Sequence, residues 1–225
     1  MTYKIEEAYL NGAVLTLLPS TVNQSFKDDA LDCGLYVQLA ASKQIDRFTH
    51  FQDWQAILIK ALTAFGWIRL DFANQQQPIS ESIVLANLMR ESLSESLDSV
   101  VEQQLDQVFA TLLPGLCAEA SKALVENSVQ ISRRGDVSSV VLQLALLLPS
   151  QQMALLCTAF ETRETVGPNP FTQRLAKDSL IGDLKSFAFL GTLDDLRYAA
   201  YRQRISEALD ERRSGLCFAL KGVVT

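Results

Sequence analysis

The chain has 225 residues, and its 20 basic and 26 acidic side chains give it a formal charge of −6. An acidic chain with a pI near 4.9 is a poor match for nucleic acid or an anionic membrane surface, because both are bound by clustered Lys and Arg. The longest apolar run, residues 140–148, is too short for a membrane-spanning helix of about 20 residues. The N-terminus is acidic where a signal peptide would be apolar, which predicts a cytoplasmic protein.

The first half of the chain predicts mainly helices. A short strand over residues 13–18 precedes a helix over 28–42, where leucines recur every four residues and outweigh a strand pattern. The next helix, residues 49–65, begins with Thr49 and Gln52 as a capping box and ends at a glycine. Alternation then predicts a half-buried strand over 67–72, with Ile68, Leu70 and Phe72 on one side, followed by a loop over 74–78. Residues 80–113 are helical in composition with a break near 92–94, and a short helix follows over 116–125.

The second half predicts mainly strands. Residues 129–131, 138–148 and 153–162 form a meander, and 140–148 is apolar on both faces apart from Gln143, as in a covered central strand. A strand over 184–190 leads to a helix that begins at Thr192 as N-cap and ends at Gly215, with Tyr198, Tyr201 and Ile205 on its inner face. A last strand covers 216–223.

These elements predict an α+β fold with a largely antiparallel sheet of about six strands and helices mainly on one face. We expect a single domain over residues 1–225, with a mainly helical half, 1–126, and a strand-rich half, 127–225, sharing one core. Helix, glycine and strand follow one another in residues 49–72 and again in 192–220. This echo suggests a duplication with pseudo-twofold organisation.

One segment resembles a group of small, uncharacterised bacterial and fungal proteins that share a Gln-Leu-Ala…Asp-Arg-Phe…Trp…Gly-Trp pattern. The resemblance covers about 40 residues, and it implies an α+β fold without implying an activity. The matching positions in this chain are Gln38-Leu39-Ala40, Lys43, Asp46-Arg47-Phe48, Trp54 and Gly66-Trp67.

Residue types that carry chemistry are sparse. His50 is the only histidine, and we interpret it as a surface residue at a helix start. The four cysteines lie singly among apolar neighbours, which predicts reduced, buried thiols. The carboxylate pairs Glu161/Glu164 and Asp194/Asp195 fit a strand end and a helix start better than acid–base catalysis. We therefore predict no catalytic residue, no metal site and no cofactor.

Partner binding is the leading functional hypothesis. Arg133 and Arg134 form a basic tip at a turn, and Phe171 lies on a proline-rich loop where it could anchor a partner or pack on the core. We expect a non-enzymatic protein that binds another protein or forms a homo-oligomer. The alternatives are an enzyme with an unrecognised carboxylate, Tyr or Ser site, and a toxin-like or immunity-type protein that acts on a membrane or on a basic toxin.

Overall fold

A computed structural model describes residues 5–94 and 118–220, and it describes side chains at residues 5–91 and 119–220. The helices are α1 (Gln24–Gln44), α2 (Phe51–Ala64), α3 (Leu85–Ser94), α4 (Ala118–Ser128) and α5 (Asp195–Leu216). The strands are β1 (Ile5–Asn11), β2 (Val14–Pro19), β3 (Trp67–Pro78), β4 (Ile83–Val84), β5 (Val129–Ile131), β6 (Ser138–Leu148), β7 (Gln152–Thr162), β8 (Arg174–Leu175), β9 (Leu180–Leu193) and β10 (Cys217–Leu220). A short 3₁₀ turn covers Lys177–Ser179.

An eight-stranded sheet organises the fold, in the order β10-β1-β2-β6-β7-β9-β3, with β5 paired beside this path to β6. Its pairings are antiparallel except for β2 and β6, which run parallel. The meander β6-β7-β9 forms the centre and β3 one edge. The strands β4 and β8 make a separate two-stranded sheet.

Helices cover both faces of this sheet. The larger layer contains α1, α2 and α5, whose buried side chains, including Leu35, Trp54 and Tyr198, share one apolar core with one face of β6 and β7. The other layer contains α3 and α4, which bury Met89 and Leu124 against the opposite face. The strand β6 therefore lies between two apolar cores, as its sequence predicts.

The α+β class is confirmed, but two finer features of the predicted fold are wrong. The sheet is mixed and has eight strands, because the unpredicted β1 joins β2 to β10, and because β2 lies parallel to β6. The helices lie on both faces, because a central strand that is apolar on both sides must be covered on both sides. Residues 95–113 and 116–117, part of the predicted helices, lie outside the described residues.

Helix ends differ locally from the predictions. The N-cap of α2 is His50, which makes no side-chain capping bond, and Thr49 bonds to Asp46 instead of forming a capping box. Asp194 caps α5, because its carboxylate accepts a hydrogen bond from the Arg197 amide at 3.1 Å. Helix α5 continues through the predicted glycine stop to Leu216. Among the described helices, none is both long and apolar enough to cross a membrane.

Candidate interaction surface

Strand β3 is a long and exposed sheet edge. It has 12 residues, pairs on one side with β9, and is exposed along almost its whole length. In an edge strand, alternate residues direct their N–H and C=O groups away from the neighbouring strand. Among the described residues, no backbone hydrogen bond joins these outward groups to another strand or helix, and the Phe72 amide is bound by the Asp71 side chain. Within the described part of the chain, the edge is therefore open to a further strand.

Two apolar side chains stand out from the first half of this edge. The register to β9 shifts between Arg69 and Asp71, so Leu70 occupies a β-bulge. A bulge bends its strand and redirects side chains. Ile68 is 46% exposed and Leu70 is 49% exposed, so the prediction that both share a buried face with Phe72 is wrong. Only Phe72, whose ring lies 6.4 Å from that of Phe187, packs toward the core.

The start of α5 adds apolar surface to the same corner of the molecule. Gly66, just before β3, accepts a hydrogen bond from the Asp194 amide at 3.0 Å. Its φ of +98° and the Arg197 side chain 3.2 Å from an added Cβ explain why glycine stands there. Leu196, in the first turn of α5, is 87% exposed. We call Ile68, Leu70 and Leu196 the β3 corner.

A row of aromatic rings borders this corner on the helical layer. Tyr201 stacks edge-on against Phe65 at 5.2 Å, and Phe65 stacks against Tyr36 at 5.4 Å. Tyr201 is 36% exposed, which contradicts its predicted place on the inner face of α5. The exposed apolar side chains of the β3 corner thus lie beside the rings of Tyr36, Phe65 and Tyr201.

The second half of the edge is polar. Gln76 is held by two bonds, since it donates to Asp183 at 2.7 Å and accepts from Gln52 at 3.0 Å. Asn74, Gln75 and Gln77 are exposed, and their carboxamides bond to no described residue. These side chains are typical hydrogen-bonding groups for an interface rim.

The charges at the apolar half are opposite and close in sequence. Arg69 and Asp71 flank Leu70 on the strand. The Arg69 guanidinium lies 5.8 Å from the centre of the Phe72 ring, and one oxygen of Asp71 accepts the Phe72 amide at 2.7 Å. Neither charge is paired with an opposite charge among the described side chains.

The structure separates the residues for which the sequence predicts partner binding. Arg133 and Arg134 lie on the exposed turn between β5 and β6, which is closed by a bond from Ser132 to Asp136 at 2.8 Å. Phe171 is 0% exposed and belongs to the core under α3, so the structure supports its core alternative. The binding role of the two arginines stays a prediction.

The carboxylate pairs have structural partners. Glu164 accepts the Ala176 amide at 2.9 Å, and Glu161 accepts the Ser139 hydroxyl at 3.4 Å. Asp195 pairs with Arg202 at 2.6 Å. The exposed His50 bonds to none of the described side chains through its ring.

The described cysteines are reduced. Cys33 and Cys157 are buried and Cys217 is half-buried, and none forms a disulfide. Burial raises the pKa of Cys33 to about 12 and raises the pKa of Cys157 further. No group of His, Cys, Asp and Glu side chains that could hold a metal ion occurs among the residues that the structure describes.

The sequence predicts the start of β3, but it does not predict that β3 continues to Pro78 as an exposed edge strand. The alternation over 67–72 predicts a strand but leaves open which neighbour covers it. The run Asn74-Gln75-Gln76-Gln77-Pro78 is typical of a loop, and an edge strand tolerates Pro78 because the proline ring interrupts no ladder in the outward direction. The absence of any apolar residue from 74 to 78 was the available signal for an uncovered edge.

No protein-family model matches the chain, and no curated protein matches it. Solved structures that are similar to it include a delta-endotoxin, with 14% identity, a TM-score of 0.44, and coverage of 81% of this chain and 84% of that one. The activated Cyt2Ba monomer from Bacillus thuringiensis subsp. israelensis is 12% identical over 61% of this chain and 79% of its own, with a TM-score of 0.36. The Evf virulence factor is 10% identical over 93% of this chain and 85% of its own, with a TM-score of 0.38.

Proposed function

We propose that this chain is a non-enzymatic protein that self-associates through the β3 edge. The observation that carries the proposal is the exposed 12-residue strand, whose outward side pairs with no other strand among the described residues. Such an edge recruits another strand through main-chain hydrogen bonds, and exposed side chains add specificity. Burying Ile68 and Leu70 in that pairing would add a hydrophobic contribution.

Charge complementarity favours a second copy of the chain as the partner. Antiparallel pairing of two β3 strands centred on Leu70 sets Arg69 of one copy opposite Asp71 of the other, and the reverse pair forms by symmetry. Opposite charges directly across an antiparallel pair are stabilising, by about 0.2–1 kcal/mol per pair. The same register places Ile68 opposite Phe72 of the second copy.

The opposite edge of the sheet is a weaker candidate. Strand β10 has four residues, Cys217–Leu220, against the 12 of β3. A short edge offers fewer outward hydrogen bonds. Association should therefore depend on β3.

The test is multi-angle light scattering on the full chain over a wide dilution series. The wild type should approach twice the 24.9 kDa mass of one chain at high concentration. Leu70→Lys should shift the mass toward a monomer, because it places a charge at the centre of the pairing. The matched control is Ile131→Lys, which changes an equally apolar residue, 66% exposed, on another strand. A wild type that is monomeric throughout, or a control that dissociates as readily, would overturn the proposal.

A second candidate function is that of a toxin-like protein that acts on a membrane after a conformational change. The observation that favours it is the layer of helices α1, α2 and α5, which packs on an apolar face of the sheet. Two ion pairs join α1 to α5, between Asp29 and Arg202 at 2.7 Å and between Asp32 and Arg213 at 2.5 Å. Beneath α1 the sheet presents the polar side chain of Gln143, beside Asn11 and Gln38. The two ion pairs join α1 to α5 within the layer, so these helices separate more easily once a pair is removed.

Leakage of dye from lipid vesicles tests this candidate. Asp29→Asn removes the charge that pairs with Arg202, so it should speed leakage if α1 must separate from α5 for the helical layer to open. Asp28→Asn is the matched control, since Asp28 is exposed and bonds only within α1, to Gln24 at 2.8 Å. No leakage at any pH, or equal rates for both variants, would contradict this function.

A further inference from the structure

A cavity of about 310 Å³ lies where the turn between β1 and β2, helix α1 and the loop after α1 meet. Its wall includes the apolar side chains of Leu35, Leu39 and Phe48. Its polar members are Gln38, Ser42, Asp46, Arg47 and Asn127. A wall of this kind, with a few convergent polar groups, is typical of small-molecule sites, whose volumes begin near 300 Å³.

Arg47 is the unusual residue in this wall. Its half-buried guanidinium donates a hydrogen bond to the Asn127 carbonyl and lies 5.0 Å from the centre of the Phe48 ring. Burial lowers the pKa of Arg47. No ion pair joins Arg47 to a carboxylate anywhere in the described part of the chain, whereas Arg202 and Arg213 each have one.

The neighbouring acid, Asp46, makes no ion pair with Arg47, although its charge acts to raise the pKa of Arg47 against the effect of burial. One oxygen of Asp46 accepts the Phe48 amide at 3.0 Å, and the other accepts the Thr49 hydroxyl at 3.2 Å. The carboxylate is thus used to hold the turn between α1 and α2. A half-buried cation without a paired anion is costly, and an oxyanion bound beside it would remove that cost.

Ser42 supplies a second polar group. Its oxygen accepts a hydrogen bond from the Trp54 indole at 3.1 Å, so its own hydroxyl hydrogen stays free to donate toward the cavity. The guanidinium has five N–H donors, and one bond to Asn127 leaves others for a bidentate contact.

We propose that this cavity binds a small oxyanion that carries an apolar group. Arg47 holds the carboxylate or phosphate, Ser42 donates to it, and the apolar group lies against Leu35 and Leu39. A guanidinium suits both anions, because its planar fork matches two oxygens of either. The site is independent of the β3 edge, which lies at the far side of the sheet order from β1 and β2.

Calorimetric titration of the full chain with octanoate and with octyl phosphate tests the proposal. At least one of the two should bind, and Arg47→Gln should weaken that binding on the order of tenfold or more. Stronger binding of octyl phosphate points to a phosphate ligand, and stronger binding of octanoate to a carboxylate. Arg134→Gln is the matched control, because that arginine is exposed on the β5–β6 turn, and it should leave binding unchanged.

Two further measurements keep the test decisive. Amide chemical shifts of the wild type should move on titration at residues around Arg47 and Ser42, which needs no variant to fold. Octyl glucoside, which is neutral, should bind far more weakly than the anionic probes. Absence of binding by both anions, shifts elsewhere in the chain, or equal binding of the neutral probe would overturn the proposal.

Discussion

Gln143 offers a sharp test of how the sheet is packed against α1. It lies in the middle of β6 and is 0% exposed, and neither atom of its carboxamide has a hydrogen-bond partner among the described residues. It lines a small cavity of about 20 Å³ under α1 together with Asn11, whose side-chain oxygen also lacks a partner. Burying this carboxamide without hydrogen-bond partners therefore lowers the free energy of unfolding.

Replacing Gln143 with leucine should stabilise the protein. A buried polar group without a partner costs about 1–3 kcal/mol, and leucine fills similar space without that cost. The surrounding side chains are mostly apolar and include Val14 and Leu155, while Asn11, Thr16 and Gln38 are the other polar ones. We expect Gln143→Leu to raise the free energy of unfolding by about 1–3 kcal/mol.

Gln38→Leu is the matched control, and it should have the opposite sign. Gln38 is equally buried, but its oxygen accepts the Ala13 amide at 3.2 Å, and its nitrogen donates to the carbonyls of Asn11 and Gly34 at 3.2 Å and 3.0 Å. Leucine there leaves the Ala13 amide without a partner. The free energy of unfolding should fall by about 1–3 kcal/mol.

Urea unfolding followed by circular dichroism measures both changes. The dependence on urea concentration should be the same for the variants and the wild type, so that midpoints report stability alone. If Gln143→Leu destabilises the chain as much as Gln38→Leu does, the amide of Gln143 is satisfied in solution and the reasoning is refuted.

Three further predictions concern other parts of the fold. Trp54→Ala should lower the free energy of unfolding by about 3–5 kcal/mol, because Trp54 is fully buried, and a loss below about 0.5 kcal/mol in urea unfolding would contradict its place in the core. The pKa of Glu7 is lowered, chiefly by a hydrogen bond from Lys27, so its contribution to stability is present above its unfolded pKa of about 4.3 and is lost as the pH falls through the lower folded value. Glu7→Gln should therefore reduce the loss of unfolding free energy below about pH 4.3, by less than about 1 kcal/mol because the pair is partly exposed, and urea unfolding across this pH range measures it. Burial raises the pKa of Cys33 to about 12, so iodoacetamide at about pH 8 should modify it only after unfolding, and rapid labelling of the folded chain would contradict this.

Elements with a clear apolar period could be predicted from the sequence. Helix α2 has a continuous stripe that includes Trp54 and Leu58, and both residues are buried as the stripe predicts. Strand β6 is apolar on both faces, and the structure covers it on both faces. In these elements local pattern and tertiary environment agree.

Features that depend on distant contacts could not be predicted. The strand β1 contains Glu6 and Glu7 and pairs with β2 and the C-terminal β10, a partner far along the chain. The turn that leads into α2 depends on Asp46, which lies outside the helix and binds Phe48 and Thr49. Tertiary pairing overrides local propensity at such positions.

The candidate surfaces were harder still to predict than the fold. The sequence shows that residues 67–72 alternate, but only the strand order shows that β3 has no neighbour on its outer side among the described strands. The cavity beside Arg47 forms from segments that are far apart in sequence, since Asn127 follows Arg47 by 80 residues. The order of charged and apolar residues along the chain does not show which distant segments come together in the fold.

Amide hydrogen exchange at high and low protein concentration reports directly on whether two chains pair through the β3 edge. Outward-facing amides of β3 exchange freely in a monomer and become hydrogen-bonded when a second strand joins the edge. We predict slower exchange at high concentration for alternate residues of β3 and no change along β10. Equal exchange of β3 at both concentrations, or protection that appears at β10 instead, would contradict self-association through the β3 edge.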